Sequence, residues 1–107
     1  MVTVKVNVTK KDIGTGICSD PGNCPIARAI LRITDKSTAV SVGNDSIEFY
    51  SGESFERDYL GTTKTPKVAD HFISDFDTRI AVKPFSFKLR VPNKAAKLFR
   101  KSAIATA

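Results

Sequence analysis

The chain has 107 residues, of which 41% are hydrophobic and 26% charged, and a formal net charge of +6. This length fits one domain with a single core, and this composition is typical of a globular protein, which excludes a second domain and a disordered body. No stretch approaches the roughly 18 apolar residues of a membrane span, and the opening MVTVKVNV lacks the apolar stretch of a signal peptide, so we expect a cytoplasmic protein with no membrane partner.

The N-terminal residues predict a strand followed by one helical turn. Every even position in Val2–Val8 is Val and the odd positions are Thr, Lys and Asn, which is the period-2 pattern of a strand with one buried face. Thr9 with Asp12 three residues later is a variant of the capping box. We therefore expect a helical turn over residues 10–13 and a loop over residues 15–23, which holds two Gly and a Pro.

The first full helix is expected to begin at Cys24-Pro25, because Pro fits the first helical position. Arg28 and Arg32 lie together on one of its faces. Another face carries an apolar stripe of Ile26, Ala27, Ile30, Leu31 and Ile33.

The middle of the chain predicts a hairpin. Two alternating runs, Thr38–Val42 and residues 46–50, flank the turn-forming sequence Gly-Asn-Asp. Residues 55–60 have a mixed pattern that is compatible with a further short strand, and we interpret residues 61–64 as linker.

A second helix is predicted over residues 66–78, with Thr65 as its N-cap and Pro66 at its first position. Its apolar face would consist of Val68, Ala69, Phe72, Ile73 and Phe76.

The C-terminal part predicts a strand and a basic helix. In Phe85–Val91 the apolar residues alternate with Ser, Lys and Arg, so the strand has an apolar side and a basic side. Pro92 ends that strand, and Asn93 is the expected cap of a helical stretch over residues 94–103.

This element order predicts an α+β fold in which two helices lie on one face of a small antiparallel sheet. The order βαββαβ matches a ferredoxin-like arrangement, although the long loop before a short first helix leaves a different small α+β topology open. We divide the chain into a domain over residues 1–92 and a basic C-terminal helix or tail over residues 93–107.

Groups that could carry out catalysis are few. His71 has Asp70 and Asp75 near it in sequence, which is compatible with a general base, but the interpretation that we favour is a partly exposed helical His. A phosphate-binding Gly loop, a nucleophile elbow and an HExxH motif are all missing from the sequence. We therefore expect no enzyme and no cofactor.

The two cysteines allow several interpretations. With His71, Cys18 and Cys24 fall short of the four ligands of a structural zinc site, although a zinc- or thiol-dependent enzyme is a third hypothesis. Cys24 at a helix start with Arg28 one turn later is either a thiol of lowered pKa or a small buried cap. The sequence leaves open whether the two thiols are reduced or joined in a disulfide.

The charge is concentrated at one end of the chain. Residues 83–107 contain seven Lys or Arg and no Asp or Glu, whereas residues 1–82 contain ten basic and eleven acidic residues and sum to −1. An anionic partner is the most direct explanation for such a cluster; the alternative is a solvated edge and tail that resist aggregation. The predicted nucleic-acid-binding residues are Lys88, Arg90, Lys94, Lys97, Arg100 and Lys101.

The stretch VKVNVTKKDIGTGICSDPGNCPIARAILR, residues 4–32, resembles a group of small uncharacterised proteins of bacteriophages and bacterial genomes. These proteins open with a Val-rich strand, continue with a Thr-x-x-Asp-Ile turn and a Gly, and show Cys-Pro-Ile-Ala or a close variant at a helix start. The matching positions are Thr9, Asp12, Ile13, Gly16, Cys24, Pro25, Ile26 and Ala27. The resemblance covers about the first third of the chain and implies a phage-type accessory protein that acts by binding, without assigning a role to any residue.

Together these features predict a small non-enzymatic binding protein that contacts nucleic acid, or a host complex containing nucleic acid, through its basic C-terminal end. The alternative is a protein-interaction module or an inhibitor of a host protein, acting on an anionic protein surface as a monomer or a homodimer.

Overall fold

The structure is a computed structural model that describes residues 1–35, 38–52 and 57–104. In chain order the elements are β1 (Val2–Val8), α1 (Lys10–Thr15), α2 (Pro25–Arg32), β2 (Thr38–Val42), β3 (Ser46–Ser51), β4 (Asp58–Lys64), α3 (Lys67–Asp77), β5 (Phe85–Val91), α4 (Asn93–Ala96) and a 3₁₀ turn (Lys101–Ala103). All strand pairings are antiparallel. The predicted α+β class is therefore confirmed.

The strands form two small sheets rather than one. β1 pairs with β5, and β2, β3 and β4 form a three-stranded meander. The second edge of β1 is met by Ile104, which bridges to Val4, and this contact takes the place of a strand from the meander. The ferredoxin-like order is accordingly not confirmed.

One hydrophobic core lies between the two sheets and the helices. The inward side chains of β1 and β5 alternate with exposed ones, and α2 contributes two fully buried isoleucines, Ile26 and Ile30. The meander contributes Val40, Val42, Ile47 and Phe49. In the part of the chain that the structure describes, no helix is long and apolar enough to cross a membrane.

The capping box at the start of α1 is confirmed. The Asp12 carboxylate accepts a hydrogen bond from the Thr9 backbone N–H at 2.8 Å, and the Thr9 hydroxyl oxygen accepts one from the Asp12 N–H at 3.2 Å. Asp12 also forms an ion pair with Arg32, which ties α1 to α2. Burial alone would raise the pKa of Asp12, but the hydrogen bonds from Thr9 and Arg32 outweigh burial and hold that pKa below its ordinary value.

The segment before α3 is a strand where the sequence predicted a linker. β4 includes all of residues 61–64, whereas residues 55 and 56 of the predicted short strand lie outside the described residues. The sequence pattern was misleading because Leu60 is an extra residue in the pairing with β3. This β-bulge interrupts the alternation, and the Thr-rich end of β4 then looks like a polar connection.

The start of α3 also differs from prediction. Pro66 occupies the N-cap position and no side chain caps the helix, because the Thr65 hydroxyl donates to the carbonyl oxygen of Gly43 at 2.7 Å. The buried face of α3 is narrower than expected, since Val68 is 51% exposed. The prediction of Thr65 as a cap and of Val68 in the apolar face was wrong.

Residues 93–104 are folded onto the same core as residues 1–92. The helix predicted over residues 94–103 is interrupted after Ala96 by a turn at residues 97–98, and Phe99 then bridges to Thr34. Two backbone hydrogen bonds of 3.0 Å fix this bridge, one from the Asp35 N–H to the Leu98 carbonyl and one from the Arg100 N–H to the Ile33 carbonyl. The buried side chains of the segment are Ala95, Leu98, Phe99 and Ala103.

Candidate nucleic-acid interface

The outward face of the β1–β5 sheet is basic. Alternation along the two strands leaves six polar side chains on it, Thr3, Lys5, Asn7, Ser86, Lys88 and Arg90. None of these described side chains is acidic, and Lys5 lies directly opposite Lys88. Like charges in such a position destabilise a sheet, so folding stability does not explain the arrangement, and a bound anion would relieve the repulsion.

A cavity of about 610 Å³ lies at the junction between β4 and β5. Four basic side chains line it, and we call this set the cationic groove: Lys64, Lys67, Lys88 and Arg90. All four are exposed, and among the described residues the lining contains no acidic side chain. Three threonines, Thr62, Thr63 and Thr65, also line the cavity.

The charges of the cationic groove are not neutralised within the described structure. Over residues 1–35, 38–52 and 57–104 the one ion pair joins Arg32 to Asp12, on α2 and α1. The cavity also includes Pro66 and Lys67 at the start of α3, where the positive end of the helix dipole adds to the potential. Asp70, the acidic residue in the first turn of α3, does not line the cavity. Its carboxylate accepts a hydrogen bond from the Asn44 side chain at 2.7 Å.

The six predicted binding residues occupy two places. Lys88 and Arg90 line the cationic groove, whereas the other four are exposed on the segment after β5 and do not line that cavity: Lys94, Lys97, Arg100 and Lys101. Sequence reasoning missed Lys64 and Lys67. They precede Lys88 by more than 20 positions, and they were hidden at the end of an unrecognised strand and at the start of a helix.

The two thiols and His71 do not form a site. Within the described part of the chain no three His, Cys, Asp or Glu side chains come close enough to hold a metal ion. His71 and Cys18 are exposed, and Cys24 is a buried cap of α2 whose sulfur accepts the Ala27 N–H at 3.4 Å. Burial raises the pKa of the Cys24 thiol. The buried-cap interpretation is confirmed, and the interpretation as a thiol of lowered pKa was wrong.

We expect Cys18 of the folded protein to react with iodoacetamide at least about ten times faster than Cys24, because the attacking species is an accessible thiolate. Labelling of Cys24 should rise at higher pH or after unfolding. Peptide mass spectrometry of timed samples measures both rates, and Cys18→Ser should remove the fast reaction. Equal rates at the two positions would contradict the burial of Cys24.

No protein-family model matches the chain, and neither does any curated protein or solved structure. Function is therefore inferred from the charge and shape of the cationic groove and of the adjoining sheet face. On these adjoining surfaces lie Lys5 and the four basic residues of the cationic groove, and in the described structure none of the five forms an ion pair. Such an arrangement suits several phosphate groups in a row better than a single small anion.

Proposed function

We propose that this protein is a small non-enzymatic binding protein that holds nucleic acid by its phosphates, with the cationic groove at the centre of the contact. The observation that carries the proposal is the presence of four exposed basic side chains around one cavity whose described lining includes no carboxylate. Lys5 on the adjoining sheet face lengthens the positive surface.

Phosphate contacts of this kind carry little sequence information. Each Lys or Arg that neutralises a phosphate releases a counterion, so affinity falls as the salt concentration rises. In this proposal the four cations after β5 add weaker, peripheral contacts: Lys94, Lys97, Arg100 and Lys101. The phage-type setting implied by the resemblance and a cytoplasmic location both fit such a role and stay proposals.

The test compares two double variants that remove the same charge. Lys88→Gln with Arg90→Gln should weaken binding of a labelled oligonucleotide about ten-fold and lower the salt slope of log K by about two. The matched control is Lys10→Gln with Arg79→Gln, which neutralises two exposed cations outside the cationic groove. Fluorescence anisotropy over a salt series measures both quantities, and the control should keep the slope of the parent protein.

Equal losses in the two variants would show that overall charge, rather than the cationic groove, governs binding. Absence of binding even at low salt would overturn the proposal. Retention of an acidic polypeptide without retention of nucleic acid would favour the alternative, a protein-interaction module or host-protein inhibitor acting on an anionic protein surface. A third variant with Lys94, Lys97, Arg100 and Lys101 all replaced by Gln measures the contribution of the segment after β5.

A further inference from the structure

One aromatic side chain stands out from the core. Tyr59 in β4 is 57% exposed, whereas the other aromatic side chains of the described residues are buried or half-buried. Tyrosine is enriched at binding surfaces, because its ring offers a large apolar face and its hydroxyl a polar end. Its position relative to the cationic groove is therefore informative.

The β-bulge in β4 determines where Tyr59 points. Tyr59 pairs with Tyr50, and the next pair is Gly61 with Phe49, so Leu60 is the extra residue. Without that insertion Tyr59 would share a face with Thr63, which is buried. The bulge moves the ring to the outward face of the meander, and bulges commonly re-aim a side chain in this way.

The same outward face leads directly into the cationic groove. Thr62 and Lys64 share it with Tyr59. Their partners on β3 are Glu48 and Ser46, which lie on the same face of that strand as Tyr50, the partner of Tyr59. The hydroxyl groups of Tyr59 and Thr62 are hydrogen-bonded to each other. Thr62 and Lys64 both line the cavity, so the hydroxyl of Tyr59 contacts a lining residue although Tyr59 is not itself part of the lining.

Tyr50 supports the ring from the neighbouring strand. The two ring centroids are 5.7 Å apart with an interplanar angle of 55°, which is a favourable tilted contact. The Tyr50 hydroxyl donates to the Glu48 carboxylate at 2.8 Å. Glu48 is paired opposite Thr62, and its engagement with Tyr50 fixes this acid beside the supporting ring.

We propose that the nucleic acid is single-stranded and that one of its bases stacks on Tyr59 while a neighbouring phosphate lies in the cationic groove. This inference rests on the proposed function. An exposed aromatic ring beside a positive channel is the combination used by proteins that bind single strands, because every base has a face that can stack. The bases of a duplex are already stacked inside the helix and cannot reach Tyr59.

The experiment uses the full chain, a labelled oligo(dT) strand and a duplex of equal length. Tyr59→Ala should weaken binding of the single strand about five-fold or more, and the duplex should show no such loss. Tyr59→Phe keeps the ring and should keep the affinity. Ile80→Ala is the control, because it trims another side chain that is 57% exposed but lies in the connection between α3 and β5 and not on β4.

A spectroscopic measurement reports the stacking directly. The sequence has two tyrosines and no tryptophan, so Tyr50→Phe leaves Tyr59 as the one strong ultraviolet fluorophore. Addition of oligo(dT) to this variant should quench the emission, because a base stacked on the ring quenches it. Duplex DNA should leave the emission nearly unchanged.

The outcomes separate this inference from the function on which it rests. Equal affinity for single strand and duplex, with no effect of Tyr59→Ala and no quenching, would overturn the stacking while leaving phosphate binding intact. Failure to bind either form of DNA would overturn the proposed function itself. A Tyr59→Phe variant as weak as Tyr59→Ala would show that the hydroxyl contact with Thr62, and not the ring, is what matters.

Discussion

Replacing Phe99 by Ala is expected to lower the free energy of unfolding by about 3–5 kcal/mol. The Phe99 ring is buried and makes an edge-to-face contact with Phe49 at a centroid distance of 6.0 Å. Its backbone bridges to Thr34, two residues after α2 ends, so the surroundings are held in place and cannot collapse into the space left by the ring. Urea denaturation followed by circular dichroism measures the loss.

Lys97→Ala is the control for this prediction. Lys97 lies two positions earlier in the same segment, but it is exposed, and its replacement should change the stability by no more than about 0.5 kcal/mol. If Phe99→Ala were as mild as Lys97→Ala, residues 93–104 would be a separable tail. A large difference would show that this basic segment is part of the core of the domain.

The elements that the sequence predicted correctly are those specified by neighbouring residues. The Val repeat of β1, the Thr9–Asp12 capping box and the Cys24-Pro25 helix start each depend on a few adjacent positions, and each occurs as predicted. The hairpin between β2 and β3 follows from its local turn sequence in the same way. Local patterns are informative here because local and tertiary preferences agree.

The errors arose where contacts distant in sequence decide the structure. The helix predicted over residues 94–103 is broken because Leu98 and Phe99 pack into a core supplied by residues far earlier in the chain. The bulge at Leu60 becomes visible once β4 is aligned with β3. Division into two sheets likewise depends on which strand edges meet, and periodicity carries no information about that choice.

The candidate site was predictable in part. The excess of basic residues after position 82 is a property of composition and pointed to Lys88 and Arg90. Lys64 and Lys67 join them through the packing of β4 beside β5, which no spacing in the sequence indicates. The bulge at Leu60 turns Tyr59 to the same face of β4 as Thr62 and Lys64, so the outward position of this ring could not be predicted from the sequence either.

Gly61→Ala is expected to lower the free energy of unfolding by roughly 2–4 kcal/mol. Gly61 has φ of +116°, a backbone conformation that residues with a side chain rarely adopt. A Cβ atom at this position would also lie 3.0 Å from Cβ and 3.1 Å from Cγ of Pro92, which follows β5. The absence of a side chain therefore allows Gly61 of β4 to approach Pro92 at the end of β5, close in sequence to Thr62 and Arg90, which line the cationic groove. Thermal and urea unfolding measure the loss.

Gly14→Ala makes the same chemical change at a position with neither constraint. Gly14 lies in α1, and a Cβ atom there would meet nothing within 4 Å, so the replacement should raise the stability by up to about 1 kcal/mol through helix propensity. Opposite signs for the two variants are the expected result. If Gly61→Ala were neutral, the two sheets would be able to separate at this point without loss of stability. The fold would then not fix the spacing of Lys64 from Lys88 across the cationic groove.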